Sequence, residues 1–230
     1  MGFNVKNTTI ISIFDLIAPH TCRGCGRIGN ILCERCKKDI LAHHHNFCPI
    51  CKRKNKDGIC KNCHNLPPTY VISDRNSLVG DLIKELKYHS VRSLSCSLAG
   101  MLDTILPINN QKIVIIPLPT IDSHIRERGL DHTLLIAKNI AKKHQNVTVE
   151  KAIIRTKNTV QVGADRKTRI TQAKNAYQIK PNFRPDQKTR YILLDDIWTT
   201  GASIKSCIEI LQKSGVKNIA VALLAVSSLD

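Results

Sequence analysis

Aromatic side chains are scarce in this chain: four Phe, four Tyr and one Trp among 230 residues. So few rings argue against strong sequence-tolerant stacking of a nucleic-acid strand, and no base-binding pocket is legible in the sequence. Long apolar runs are missing too. No stretch approaches the roughly 18 consecutive apolar residues of a membrane-spanning helix, so no membrane insertion is expected. The opening MGFNVKNTTIISIFDLIAPH holds one lysine and a short apolar patch broken by Asp15, with no small-residue cleavage site, which makes a poor secretory signal. Lys6 stands where an N-myristoylated chain would carry Ser or Thr. A cytoplasmic location is the expectation. Acidic residues are also few: 18 Asp and Glu against 35 Lys and Arg, a formal net charge of +17. That balance points to nucleic acid or phosphorylated ligands and says nothing of the fold.

Cysteine is nearly absent from most of the chain. Eight of the ten lie between Cys22 and Cys63, and only Cys96 and Cys207 fall beyond. The eight form four CxxC pairs: Cys22 with Cys25, Cys33 with Cys36, Cys48 with Cys51, and Cys60 with Cys63. Two cysteines three apart on a tight turn can put both sulfurs about 2.3 Å from one Zn²⁺, and two such turns close a tetrahedral site. A segment this short cannot hold itself together by apolar burial, so it needs a metal or disulfides, and a reducing compartment favours metal. Two structural Zn²⁺ ions are expected. Sequential pairing is the simplest arrangement; an interleaved one stays open. Closed four-sulfur sites leave no coordination position for chemistry. His43, His44 and His45 read as a polar linker, and nothing requires His64 as a ligand. Eight thiolates on two Zn²⁺ add −8 and +4, which brings the formal charge from +17 to about +13.

Pro67-Pro68 marks a boundary between an N-terminal segment with a double zinc ribbon, residues 1–66, and a larger unit, residues 69–230. In that unit Leu78, Leu82 and Leu86, and then Leu94, Leu98, Met101 and Ile105, recur at helical spacing. KIVIIPLP (112–119) reads as a buried strand, Leu130 to Ala141 as a helix, and Thr148 to Ile154 as a strand. Residues 155–175 are basic and aperiodic and read as a long loop. Arg190 to Leu194 reads as a strand, Asp195 to Gly201 as a turn, Ala202 to Lys213 as a helix stopped by Ser214-Gly215, and Val216 to Val226 as a strand. Alternation of strands and helices predicts an α/β fold with a largely parallel sheet and ligands at the carboxyl ends of its strands.

The segment ILLDDIWTTGAS carries the chemistry. A buried strand delivers Asp195 and Asp196, and Thr199, Thr200, Gly201, Ala202 and Ser203 then turn into a helix N-terminus. Backbone N–H groups there suit a dianionic phosphate, and Gly201 lets the backbone approach it. The two carboxylates suit sugar hydroxyls or a metal. This segment resembles the phosphoribosyl pyrophosphate signature of type I phosphoribosyltransferases. The whole chain resembles the ComF family of competence-associated proteins, through IFDLIAPHTCRGCG, LIKELKYHS, IPLPTIDSHIRERGLDHTLLIA, IIRTKNTVQ and ILLDDIWTTGAS. Where relatives often read GFNQ, this chain has Gly129, Leu130, Asp131 and His132.

The resemblance implies a type I phosphoribosyltransferase-like domain binding phosphoribosyl pyrophosphate with Mg²⁺. Asp195 and Asp196 would hold the ribose hydroxyls and Thr199 to Ser203 the 5′-phosphate. The loop Pro117, Leu118, Pro119, Thr120 would face the pyrophosphate, with Arg126 and Arg128 behind it and a lid over Arg155 to Arg169, where Gln161, Arg166 and Arg169 lie. An active enzyme would displace pyrophosphate with an acceptor nucleophile. A silent binding module would handle single-stranded nucleic acid, with ribbon lysines such as Lys52, Lys54 and Lys56 along the phosphates. The family's link to DNA uptake and to partners in the competence machinery fits both.

Overall fold

The computed structural model describes residues 20–44, 47–63, 65–89, 91–156 and 176–227. The first unit is built from turns. Strands β1 (His20–Thr21) and β2 (Ile28–Gly29) pair antiparallel, and helix α1 (Glu34–Ala42) follows. The larger unit runs β3 (Thr69–Asp74), α2 (Leu78–Tyr88), α3 (Leu94–Ile105), β4 (Ile113–Pro117), α4 (Asp122–Arg128), α5 (His132–Ala141), β5 (Val147–Val149) and β6 (Ile153–Arg155). Then come β7 (Tyr177–Ile179), β8 (Arg190–Trp198), α6 (Ala202–Lys213) and β9 (Ile219–Val226).

Five strands form one sheet in the order β3-β9-β8-β4-β5, every pair parallel. Because both faces are covered, its strands read as continuous apolar runs such as IVIIP and IAVALLAV. Alternation sorts the side chains. Ile113, Ile115, Ile192, Leu194, Ala220, Ala222 and Leu224 pack on one face with α2, α3 and α5. Val114, Ile116, Tyr191, Leu193, Ile219, Val221 and Leu223 pack on the other with α6 and the β6–β7 hairpin. Cys22, Ile31, Leu32 and Cys36 join the first of these cores, so the first cysteine set is sealed against α2 and α3.

Several boundaries differ from the sequence reading. Thr148 to Ile154 is not one strand: β5 ends at Val149 within the parallel sheet, and after Glu150 donates its N–H to Ile115 the chain leaves to form the antiparallel β6–β7 hairpin. The predicted turn at Asp195 is strand. β8 runs through both acids to Trp198, because Asp195, Ile197 and Trp198 still pair with Leu223, Ala225 and Val226 of β9. Val216 belongs to the stop of α6, its N–H bound to the Leu211 carbonyl, and β9 begins at Ile219. Lid positions Gln161, Arg166 and Arg169 lie outside the described residues.

Candidate functional site

After β4 the chain crosses to β5 on one side, and after β8 it crosses to β9 on the other. The crevice between the carboxyl ends of β4 and β8 is therefore the topological switch point, where sheets of this kind bind ligands. The loop after β4 and the loop after β8 meet there: the Leu118 N–H donates to the Leu194 carbonyl at 2.8 Å. Pro117 and Leu118 are buried under this contact, while Pro119 and Thr120 are half-exposed.

Thr199 to Ser203 surround the start of α6. Gly201 is its N-cap, with φ +72°, and so brings no capping side chain of its own. Its position demands glycine twice over: the backbone is left-handed, and a Cβ would stand 2.1 Å from the Trp198 ring. The Ala202 N–H meets Thr200 Oγ1 at 3.4 Å, and the remaining first-turn N–H groups have no intrahelical carbonyl. Close by, Arg155 Nη1 donates to the hydroxyl of buried Tyr177 at 2.9 Å.

Neighbours in a strand leave on opposite faces, so Asp195 and Asp196 sit in different surroundings. Asp196 Oδ2 accepts from His132 Nε2 at 2.5 Å and forms an ion pair with Lys87. Both partners are mostly buried, with side-chain exposures of 5% for His132 and 15% for Lys87. Burial alone would raise the Asp196 pKa, but the His132 hydrogen bond and the Lys87 charge outweigh it and hold it well below the usual carboxylate range. Because Nε2 donates to Asp196, that nitrogen carries the proton, and buried Nδ1 has no hydrogen-bond partner among the described residues. Asp195, on the α6 face, accepts the Asp196 N–H at 2.9 Å. Burial, and then the Asp196 charge beside it, push its carboxyl up to about 8. The pair therefore carries about one negative charge at neutral pH.

Arg126 is exposed on α4, whereas Arg128 is half-buried and lies over the Tyr88 ring, 5.0 Å from its centroid. Burial first and the Arg128 charge next lower the pKa of His124, offset by Glu127 and helped by Arg155 and Lys87. Those three cations all act on His124. Beside the crevice, Pro117, Pro119, Thr120, Asp131, Lys151, Arg155 and Lys180 line a cavity of ≈ 260 Å³. Sequence reasoning missed Lys87 as a site residue and treated His132 only as a departure from the relatives. Lys87 lies inside the LIKELKYHS stretch that marked the resemblance, which was the available signal.

The cysteines fall into two sets, Cys22, Cys25, Cys33, Cys36 and Cys48, Cys51, Cys60, Cys63, each with its sulfurs within 4.8 Å of one another. Pairing is sequential. The Sγ separations of 3.8 Å for Cys22–Cys36, 3.7 Å for Cys25–Cys33 and 3.5 Å for Cys51–Cys60 match the roughly 3.8 Å edge of a tetrahedron with Zn–S bonds of about 2.3 Å. Each set opens with the same turn. The Gly26 N–H returns to the Cys22 carbonyl and the Lys52 N–H to that of Cys48, both residues having positive φ. Amides also point at sulfur, Cys33 N–H to Cys22 at 3.3 Å and Ile50 N–H to Cys48 at 3.4 Å. Although burial opposes it, such amides bring the Cys22 thiol down to about 6, while burial and the neighbouring sulfurs push Cys36 of the same set up to about 12. The donor sets fit Zn²⁺.

Fold and site together define an α/β protein whose parallel sheet presents a helix-led loop and an acidic pair, with two four-cysteine sets that could each hold a metal ion. Comparison with known proteins narrows this. The chain is 26% identical to Competence protein F of Haemophilus influenzae, over 92% of this chain and 97% of that one. It is 23% identical to DNA utilization protein YhgH of Salmonella typhi, over 83% and 94%. The chain is a homologue of these ComF/YhgH-type proteins over most of its length, in agreement with the resemblance read from its motifs. No protein-family model matches it. Among solved structures, a hypoxanthine phosphoribosyltransferase of Staphylococcus aureus aligns with a TM-score of 0.36 and 14% identity, over 62% of this chain and 68% of that one. No described helix is long and apolar enough to cross a membrane.

Proposed function

We propose that this protein binds phosphoribosyl pyrophosphate with Mg²⁺ in the β4–β8 crevice and that it acts in DNA uptake, as the names of its relatives suggest. The observation that carries the reading is the N-terminus of α6, a 12-residue helix led by left-handed Gly201, standing at the switch point just after an acidic pair. First-turn amides and the Thr199, Thr200 and Ser203 hydroxyls would receive the 5′-phosphate. Asp195 would face the ribose hydroxyls, and Lys87 and His132 would keep Asp196 charged beside it. The Pro117 to Thr120 loop, Arg126 and Arg128 would take the pyrophosphate. Mg²⁺, carried in with the ligand, would neutralise that leaving group.

Two activities fit this ligand, a phosphoribosyltransferase and a catalytically silent module for single strands. The second is favoured by a groove of ≈ 1180 Å³ between the second ribbon and β3, lined by Arg53, Lys54, Lys56 and Lys61. Lys52, grouped with them on sequence grounds, instead points its ammonium at the Ser227 carbonyl, 3.5 Å away. Ligand linkage gives a simple test. Phosphoribosyl pyrophosphate with Mg²⁺ should raise the melting temperature more than ribose 5-phosphate does, since only ligands of the folded state stabilise it. An unshifted melting curve at millimolar ligand would sink the proposal. Pyrophosphate release in a screen of bases and nucleic acids then separates enzyme from silent module.

A further inference from the structure

The geometry points to a stacking platform for a nucleobase, made by Tyr88 with Arg128 behind it, at the mouth of the β4–β8 crevice. The inference rests on the phosphoribosyl reading of that crevice and adds the group that would be joined to, or placed beside, the ribose. Tyr88 is 63% exposed, the most exposed aromatic among the described residues. Trp198 and Tyr177, the other rings beside the loop after β8, are 2% and 3% exposed. In a chain so poor in rings, one set open to solvent beside the crevice needs a reason.

Its location is fixed from both sides. Lys87, the preceding residue of α2, is anchored on Asp196, which brings the end of the helix to the acidic pair. Arg128 closes α4, and the following Gly129 carbonyl accepts from Arg92 Nη2 at 3.0 Å, which ties that corner to the start of α3. The guanidinium, 5.0 Å from the ring centroid, covers one face of Tyr88, and the 63% exposure leaves the other for a ligand. A phenol ring backed by a cation is a flat, stiffened surface that recruits a planar heteroaromatic ring. Stacking tolerates any base, so the platform selects the class nucleobase, either free or at the end of a strand.

The test uses full-length, zinc-loaded protein and the fluorescence of 2-aminopurine, as free base and at the 3′ end of a short oligodeoxynucleotide. The wild type should quench one or both saturably. Tyr88→Phe should stay within about twofold of it, and Tyr88→Ala should weaken binding roughly tenfold or more, as loss of one base stack does. Quenching of the free base alone assigns the platform to a small acceptor; quenching of the oligonucleotide alone assigns it to a strand end. Equal binding by the Ala variant, equal losses in the Phe and Ala variants, or no quenching by the wild type each overturn the platform. The phosphoribosyl pyrophosphate melting shift, measured on the same proteins, should survive in Tyr88→Phe, which keeps the ring under Arg128. Its absence from the wild type counts against the phosphoribosyl reading and leaves the quenching result to stand alone.

Discussion

The two adjacent acids of β8 have opposite charge behaviour because a strand sends neighbours to opposite faces. Asp195 stays protonated in the folded chain up to about 8, through burial and then the Asp196 charge, but in an unfolded chain it ionises near pH 4. Between those values the folded state holds the extra proton. The cost of Asp195 is thus nil below pH 4, grows as pH rises, and is complete above pH 8. Asp195→Asn should be more stable than wild type at pH 8, with the difference shrinking towards pH 4, read from urea midpoints across that range. Asp196 has the reverse sign: its lowered pKa stabilises above pH 4 and is lost as the pH falls. Lys87→Met strips a buried carboxylate of its ion-pair partner and should cost about 3–5 kcal/mol, much of it restored by adding Asp196→Asn. The acidic pair was legible in the sequence as a pair. Its partners were not, because Lys87 and His132 meet Asp196 only through α2 and α5, far away along the chain.

At the scale of elements, the long apolar helices α2, α3 and α6 were readable from their spacing, and β4 and β9 from their branched apolar runs. The strand β3 was missed: TYVISD follows two prolines and is too short and mixed to stand out, and its pairing with β9 is remote in sequence. Helix α1 was missed because its place between cysteine pairs and its core contacts through Cys36, Ile40 and Leu41, more than periodicity, hold it. The four CxxC pairs were fully legible, and their unequal packing yields a prediction. Cys22, Cys36 and Leu32 share the core with α2 and α3, whereas Cys48 and Cys60 are buried outside both main apolar clusters. Cys36→Ser should therefore lower the melting temperature of the larger unit more than Cys63→Ser does. Elemental analysis should find two zinc ions per wild-type chain and about one in either variant. Gly201→Val will not only block phosphate approach. Its side chain would meet Trp198 in a left-handed backbone, so lower stability should accompany lost binding, seen as an earlier melt without ligand.

On the scale of the molecule, two layers divide the sheet. The helical face, closed by the first cysteine set, carries the Asp196 clamp, and the α6 face carries Asp195 and the phosphate-type loop. Overall charge was readable from composition, but the distribution of Arg53, Lys54, Lys56 and Lys61 along a groove was not, since it needs the second ribbon folded against β3. A formal charge of +17, about +13 with zinc bound, should draw single-stranded DNA with an affinity that falls steeply with salt. Titrations at two salt concentrations check this, and an affinity flat in salt would exclude a phosphate-tracking groove. The central claim, that the helix-led loop receives the phosphate of phosphoribosyl pyrophosphate, is tested most directly by calorimetry on wild type and Ala202→Glu. A carboxylate at the first helical position suits the start of α6 but repels a phosphate there. The account predicts measurable Mg²⁺-dependent binding by the wild type and at least about tenfold weaker binding by the variant, with its melting temperature kept, as loss of a charged hydrogen bond implies. Equal heats from the two proteins, or none from the wild type, would contradict it.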